Sequence, residues 1–241
     1  HSDIIRQKWV LSVYKKYILN LLDVADKIIV SNDSLVKNSS FLPEYKSKWT
    51  VIPIGKDISW AKKNQIKAAF DKRSEEKSIL FVGRLVYYKG IEYLIEAMSS
   101  IKKANLTIIG SGPLKNRILQ QIKNLNLQNR VFLVPEVDET KLQKHFNTCD
   151  IFVLPSIEKS ETYGIVQIEA MSCGKPIIST ELGTGTSFIN QNDITGIVVR
   201  PRDSKILAQA IIKLLENDNL RVTLGDNAKR RAFNEFTSEL M

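Results

Sequence analysis

Cysteine and histidine are scarce, with two of each in 241 residues. Cys149 and Cys173, His1 and His145 stand at scattered positions and make no metal-ligand spacing. No run approaches the roughly 18 consecutive apolar residues of a membrane-spanning helix, which argues against a transmembrane segment. Internal repeats and low-complexity tracts are lacking, as are the motifs of nucleic-acid binding. The opening HSDIIRQKWV has neither the uninterrupted apolar core nor the small-residue cleavage site of a signal peptide, and it starts without methionine. It reads as a fragment from a reduced, cytoplasmic protein.

What is present is an ordinary globular composition, 43% hydrophobic and 25% charged, with a formal net charge of +9. Residues 1–76 hold 14 Lys and Arg against 9 Asp and Glu, so the basic excess is concentrated toward the N-terminus. Such a field attracts phosphorylated ligands or anionic surfaces, and charge by itself does not choose between them.

From Ile4 to about Ala25 apolar residues recur at helical spacing, interleaved with Arg6, Lys8, Lys15 and Lys16: a basic amphipathic helix. KIIVSN then reads as a short buried strand, Asp33 or Ser34 as the cap of the next helix, and WTVIPIG as a second strand. Residues 57–76 turn polar and lysine-rich, which places a domain boundary there. Beyond it strands and helices alternate: SILFVG (78–83), a helix from Gly90, NLTIIG (105–110), a helix from about Leu114, RVFLV (130–134), a helix from Glu139 and DIFVLP (150–155). A helix starting near Gly164, strand KPIIS, a glycine-rich turn, strand GIVVR and a helix from about Asp203 follow. Short apolar strands separated by amphipathic helices make an α/β, doubly wound parallel sheet of Rossmann-like type, with ligands at the carboxyl ends of the strands.

Three of the loops after those strands stand out. GRLVYYKG puts Gly83, Arg84, Lys89 and Gly90 at the mouth of one strand, where a guanidinium and an ammonium suit a diphosphate or form only a solvated basic pair. GSGP at 110–113 is turn chemistry without the third glycine of a dinucleotide fingerprint. The third, PSIEKSETYGIVQIEAMSCGKPII, holds Glu161 and Glu169 with seven residues between them. The amides of Gly164, Ile165 and Val166 form an anion site at the helix start. Glu169, more than a turn inside an otherwise apolar helix, needs a partner, either ligand hydroxyls or a nearby Lys or Arg.

The E-x7-E run with the SCGKPII turn resembles the retaining GT-B glycosyltransferases of glycosyltransferase family 4. The order of GRLVYYKG, LTIIGSGP, DIFVLPS and the closing TG-x-VV-x-P-x-D at 195–203 resembles that family as well. The resemblance implies a transferase that moves a hexosyl group from a nucleotide-diphosphate sugar to a saccharide or lipid-linked acceptor, with retention of configuration. It implies that Arg84 and Lys89 hold the diphosphate, that Glu161 with the Tyr163 and Gly164 amides meets the transferred sugar, and that the Ile165 and Val166 amides meet phosphate. Glu169 would accept from the ribose hydroxyls, main chain near Val137 would lie against the base, and Gly83 would border the donor. His1 opens a segment similar to the family's region facing sugar and acceptor. No D-x-D triplet occurs, in keeping with a site that uses no metal and no other cofactor. Pro135, where the family usually has glycine, departs from the pattern, and Tyr163 replaces a common phenylalanine.

On this reading residues 1–56 are the incomplete end of an acceptor-side domain, 57–76 a linker, 77–226 the donor-binding domain and 227–241 the start of a C-terminal return helix. A nucleotide-sugar epimerase of similar fold, or a donor-binding piece without turnover, are the rival readings. The first helix has two uses, covering the acceptor-side sheet or lying on an anionic membrane at the cytoplasmic face.

Overall fold

The computed structural model describes residues 8–63 and 76–241. The chain opens with α1 (Lys8–Val24), β1 (Ile28–Val30), α2 (Asp33–Asn38), β2 (Trp49–Val51) and α3 (Ser59–Lys63). Strands β1 and β2 pair in parallel as a separate two-stranded sheet. The cap of α2 is Asn32, not Asp33 or Ser34: its extended backbone and fully buried side chain let the carboxamide oxygen accept from the Leu35 amide at 2.8 Å. Strand β1 is not buried throughout as expected. Val30 is buried while Ile29, on the opposite face of the pleat, is 69% exposed. Along α1, Tyr14, Tyr17, Leu21 and Val24 form an exposed apolar stripe, so no described element covers that face.

The larger unit holds β3 (Lys77–Val82), α4 (Ile91–Met98), β4 (Ala104–Ile109), α5 (Lys115–Asn124), β5 (Val131–Val134), α6 (Glu139–Thr148), β6 (Ile151–Leu154) and α7 (Val166–Ser172). It continues through β7 (Ile177–Thr180), α8 (Gly185–Ile189), β8 (Gly196–Val199), α9 (Ser204–Glu216) and α10 (Asp218–Glu235). Six parallel strands run in the order β5-β4-β3-β6-β7-β8, so the direction of winding reverses between β3 and β6. In such sheets the crevice beyond the carboxyl ends of those two strands receives the ligand.

Alternation along β3 builds both faces of the core. Ile79 and Phe81 join the helices α4, α5 and α9 in one cluster, while Leu80 joins Phe146, Phe152, Ile168 and Phe236 in the other. Helix α7 begins at Val166 rather than near Gly164, because Gly164 is left-handed at φ 76°. Glu169 therefore lies in its first turn, not deeper. The glycine-rich turn contains a helix, α8. The boundary expected at 226 falls inside α10, which Asn217 caps by accepting from the Leu220 amide. Most of the expected linker lies outside the described residues, yet its start is structured, with Ile58 only 1% exposed within the second cluster.

Candidate functional site

The crevice between β3 and β6 is built by three loops. After β3 the chain makes a 3₁₀ turn, Tyr87–Lys89, that ends at Gly90 with φ 65°. A β-carbon at Gly90 would stand 2.1 Å from the Pro155 carbonyl oxygen, so only glycine lets this loop meet the end of β6. The Ile157 amide donates to the Tyr88 carbonyl at 2.7 Å and ties the two loops together. Lys89 is thereby turned inward, and its Nζ lies 2.5 Å from Glu161 Oε2. Ser156 Oγ donates to the same carboxylate oxygen at 2.8 Å, and Thr184 Oγ1 donates to the Glu161 carbonyl. Lys89 and Glu161 are 9% and 7% exposed, a buried charge pair that Ser156 and Thr184 help to hold.

Arg84 behaves differently from Lys89, though both belong to one loop. It is exposed and forms no ion pair among the described residues. With Gly83 it borders a cleft of about 250 Å³ at the ends of β3, β4 and β5, closed by Gly110, Ser111, Glu136, Val137 and Leu142. Gly83, Arg84 and Val137 are thus brought together, and Lys89 reaches this cleft's rim, its Nζ 3.7 Å from where a β-carbon on Gly83 would stand.

Glu169 is held from an unexpected direction. Lys56, just after the small sheet, places its Nζ 3.5 Å from Glu169 Oε1. Burial pushes the Glu169 carboxyl above its usual range, Lys56 pulls it back, and Glu139 on α6 adds to the rise. The Tyr163 ring is packed rather than presented to a ligand: it is 3% exposed, and its hydroxyl accepts from the Ile54 amide at 3.1 Å. Burial raises that phenol to about 12. Ile165 is half-exposed at the head of α7, with Val166 beside it. His1 lies outside the described residues, and His145 is half-buried on α6.

Sequence reasoning missed Lys56 and Ser156. Ser156 directly follows a strand end, the position where ligand-facing residues gather, and was legible on that ground. Lys56 carries no local signal, since its partner is distant in sequence. Both cysteines are free. Among the described residues no group of three or more His, Cys, Asp or Glu is arranged to hold a metal, and no helix is long and apolar enough to cross a membrane.

Residues 62–231 match the family model described as glycosyl transferases group 1. The chain is 34% identical over its whole length to O-antigen chain mannosyltransferase C of Escherichia coli, and covers 65% of that protein. It is 35% identical over 99% of its length to D-rhamnosyltransferase WbpZ of Pseudomonas aeruginosa, covering 62% of it. It therefore spans somewhat less than two thirds of these two relatives. Among solved structures, sucrose-phosphate synthase from Thermosynechococcus elongatus superposes with a TM-score of 0.80 at 29% identity, over 98% of this chain and 61% of that one. Anabaena Alr3699/HepE, solved with UDP, gives a TM-score of 0.82 at 21% identity, over 98% and 67%. The architecture is the α/β, parallel-sheet one that the sequence pattern leads one to expect, and it matches the GT-B type that the family resemblance implies.

Proposed function

The chain belongs to the glycosyl transferases of group 1, and on that footing we propose that it is a retaining glycosyltransferase of family 4 that draws on a nucleoside-diphosphate sugar. The observation that carries this reading is the crevice at the winding reversal, where the buried Lys89–Glu161 pair adjoins the exposed Arg84 and the cleft of about 250 Å³. The base takes the cleft against Val137 and Gly83. Glu169 accepts from the ribose hydroxyls, and Arg84 and Lys89 meet the diphosphate together with the Ile165 and Val166 amides.

In the transfer step the acceptor hydroxyl oxygen bonds to the anomeric carbon on the face from which the diphosphate leaves. The bond from that carbon to the diphosphate oxygen breaks, and its electron pair goes with the diphosphate. The hydroxyl proton passes to the departing oxygen. Arg84 and Lys89 stabilise the growing negative charge, and no metal or other cofactor enters this reading. Glu161, already charge-paired, positions the sugar and is not a nucleophile.

The relative named as an O-antigen chain mannosyltransferase supports a saccharide acceptor, and we take that saccharide to be free or lipid-linked. We place the protein on the cytoplasmic side, with residues 1–56 as part of the acceptor-side unit and α1 toward an anionic membrane surface. The test is incubation with a panel of nucleotide sugars and a lipid-linked saccharide, followed by NMR of the product. Glycosylated acceptor with the donor's anomeric configuration is the expected result. Inverted product overturns the retaining assignment, and epimerised donor without transfer overturns the transferase reading.

A further inference from the structure

Lys56 is not a neighbour of Glu169 on the same helix or sheet. It lies where the chain leaves the small sheet for the larger unit, and its main chain is fixed there. Its amide donates to the Phe236 carbonyl at 2.9 Å, and its carbonyl accepts from the Ser238 amide at 3.2 Å. The segment that follows α10 thus runs parallel to Gly55-Lys56. A β-carbon on Gly55 would stand 2.4 Å from the Thr237 carbonyl oxygen, so the approach depends on glycine. With the backbone clamped, the lysine stem is aimed at α7 and its ammonium reaches Glu169, whose side chain is 17% exposed.

The other groups around Glu169 do not replace it. Glu139 on α6 has the same sign, and the Cys173 thiol at the end of α7 is pushed up to about 11 by burial and stays neutral. The cations near this end are Lys175, just after α7, and Lys229 on α10; both act on Cys173, and Lys175 Nζ donates to the Asn147 carbonyl at 2.8 Å. Strands β6 and β7 present only Ile, Phe, Val, Leu, Ser and Thr.

We propose that Lys56 is a positioning residue for the nucleoside, holding Glu169 ionised and aimed so that the ribose hydroxyls meet a charged acceptor. This rests on the reading of Glu169 as the ribose partner. A carboxylate accepts from both hydroxyls of a diol, whereas the protonated acid surrenders part of that capacity. The arrangement also ties the acceptor's charge to the segment that joins the two units.

The test is calorimetry of uridine diphosphate and guanosine diphosphate binding between about pH 5 and about pH 8, a window that begins near the ordinary carboxylate range. Wild type, Lys56→Met, Lys56→Arg, Glu169→Gln and the Lys56→Met/Glu169→Gln double variant are compared, using whichever diphosphate binds wild type more tightly. The ligand's own titration is common to all and cancels in the ratios. Lys56→Met is expected to lose affinity several-fold at the acid end and to converge on wild type at the alkaline end. Lys56→Arg is expected to restore the profile, and Lys56→Met to change nothing in the Glu169→Gln background. A loss that is equal at every pH, or that survives in that background, overturns the inference, since Lys56 then touches the ligand or only holds the fold. If Glu169→Gln alone binds as wild type throughout, the ribose reading falls and the inference with it; if it weakens binding while Lys56→Met fails its pattern, the inference falls alone.

Discussion

Lys89 Nζ and Glu161 Oε2 lie 2.5 Å apart across 72 residues of sequence, each almost wholly removed from water. Two loops of the larger unit are therefore joined by a charge pair at the point where a phosphorylated ligand is expected. Removing one partner strands the other. Lys89→Met should cost about 3 kcal/mol of stability, because Glu161 is left buried and uncompensated. The Lys89→Met/Glu161→Gln double variant should recover at least ~1 kcal/mol of the summed single losses. Urea unfolding of wild type, Lys89→Met, Glu161→Gln and the double variant gives the cycle, and simple additivity would show that the two side chains are not coupled.

Arg84 offers the opposite case within the same loop. Exposed and without an ion pair among the described residues, it contributes little to the fold. Arg84→Ala should change the unfolding free energy from urea titration by no more than the roughly 0.5 kcal/mol usual for surface changes. Its loss should nonetheless weaken nucleoside diphosphate by about 10-fold, as expected for a charged hydrogen bond, and leave nucleoside affinity alone. Equal losses for both ligands in parallel titrations would place Arg84 away from the diphosphate.

Tyr163 separates packing from binding. Its hydroxyl is the acceptor for the Ile54 amide, so Tyr163→Phe leaves that N–H without its partner. The expected cost is about 1 kcal/mol in thermal or urea unfolding, with nucleotide affinity unchanged because the ring faces Phe188 and the core rather than the cleft. A fall in nucleotide affinity at constant stability would mean that the hydroxyl serves the ligand.

These cases mark how far the residues alone reach. Strand β3 was expected at 78–83 and runs Lys77–Val82; β4 was expected at 105–110 and runs Ala104–Ile109. Both are strongly apolar segments bounded by glycine, where period and burial agree. Helix α8 was read as a turn because glycine and threonine have low helix propensity, and it is tertiary contact that decides there: Thr184 bonds the Glu161 carbonyl at its start. Helix α10 was expected only from 227, as the start of a return helix; its first part, from Asp218, was missed because its apolar residues follow no clean stripe, wedged as it is between α7 and α9. Within the site, Glu161, Arg84 and Lys89 were legible as chemistry after strands. That Lys89 faces Glu161, and that Lys56 faces Glu169, depends on long-range packing that no local pattern encodes.

The last prediction concerns α1. Tyr14, Tyr17, Leu21 and Val24 recur at three- and four-residue spacing and are 55%, 70%, 65% and 69% exposed, with Lys15 and Lys16 exposed beside them. The sequence allowed two uses for this face, covering a sheet or lying on a membrane, and Lys15 and Lys16 are free to face lipid under either. Amphipathic helices that combine aromatic and aliphatic residues with lysine enter the headgroup region of anionic bilayers, and each lysine near the surface adds about 1 kcal/mol of attraction. Co-sedimentation with neutral and anionic vesicles should therefore show binding to the anionic set that falls as salt is raised. Lys15→Gln/Lys16→Gln should weaken it by roughly 10-fold or more at low salt, from two such contributions. Leu21→Ser should weaken binding to both kinds of vesicle, since it removes apolar area and no charge. Binding indifferent to lipid charge, or absent at low salt, would sink the electrostatic attachment.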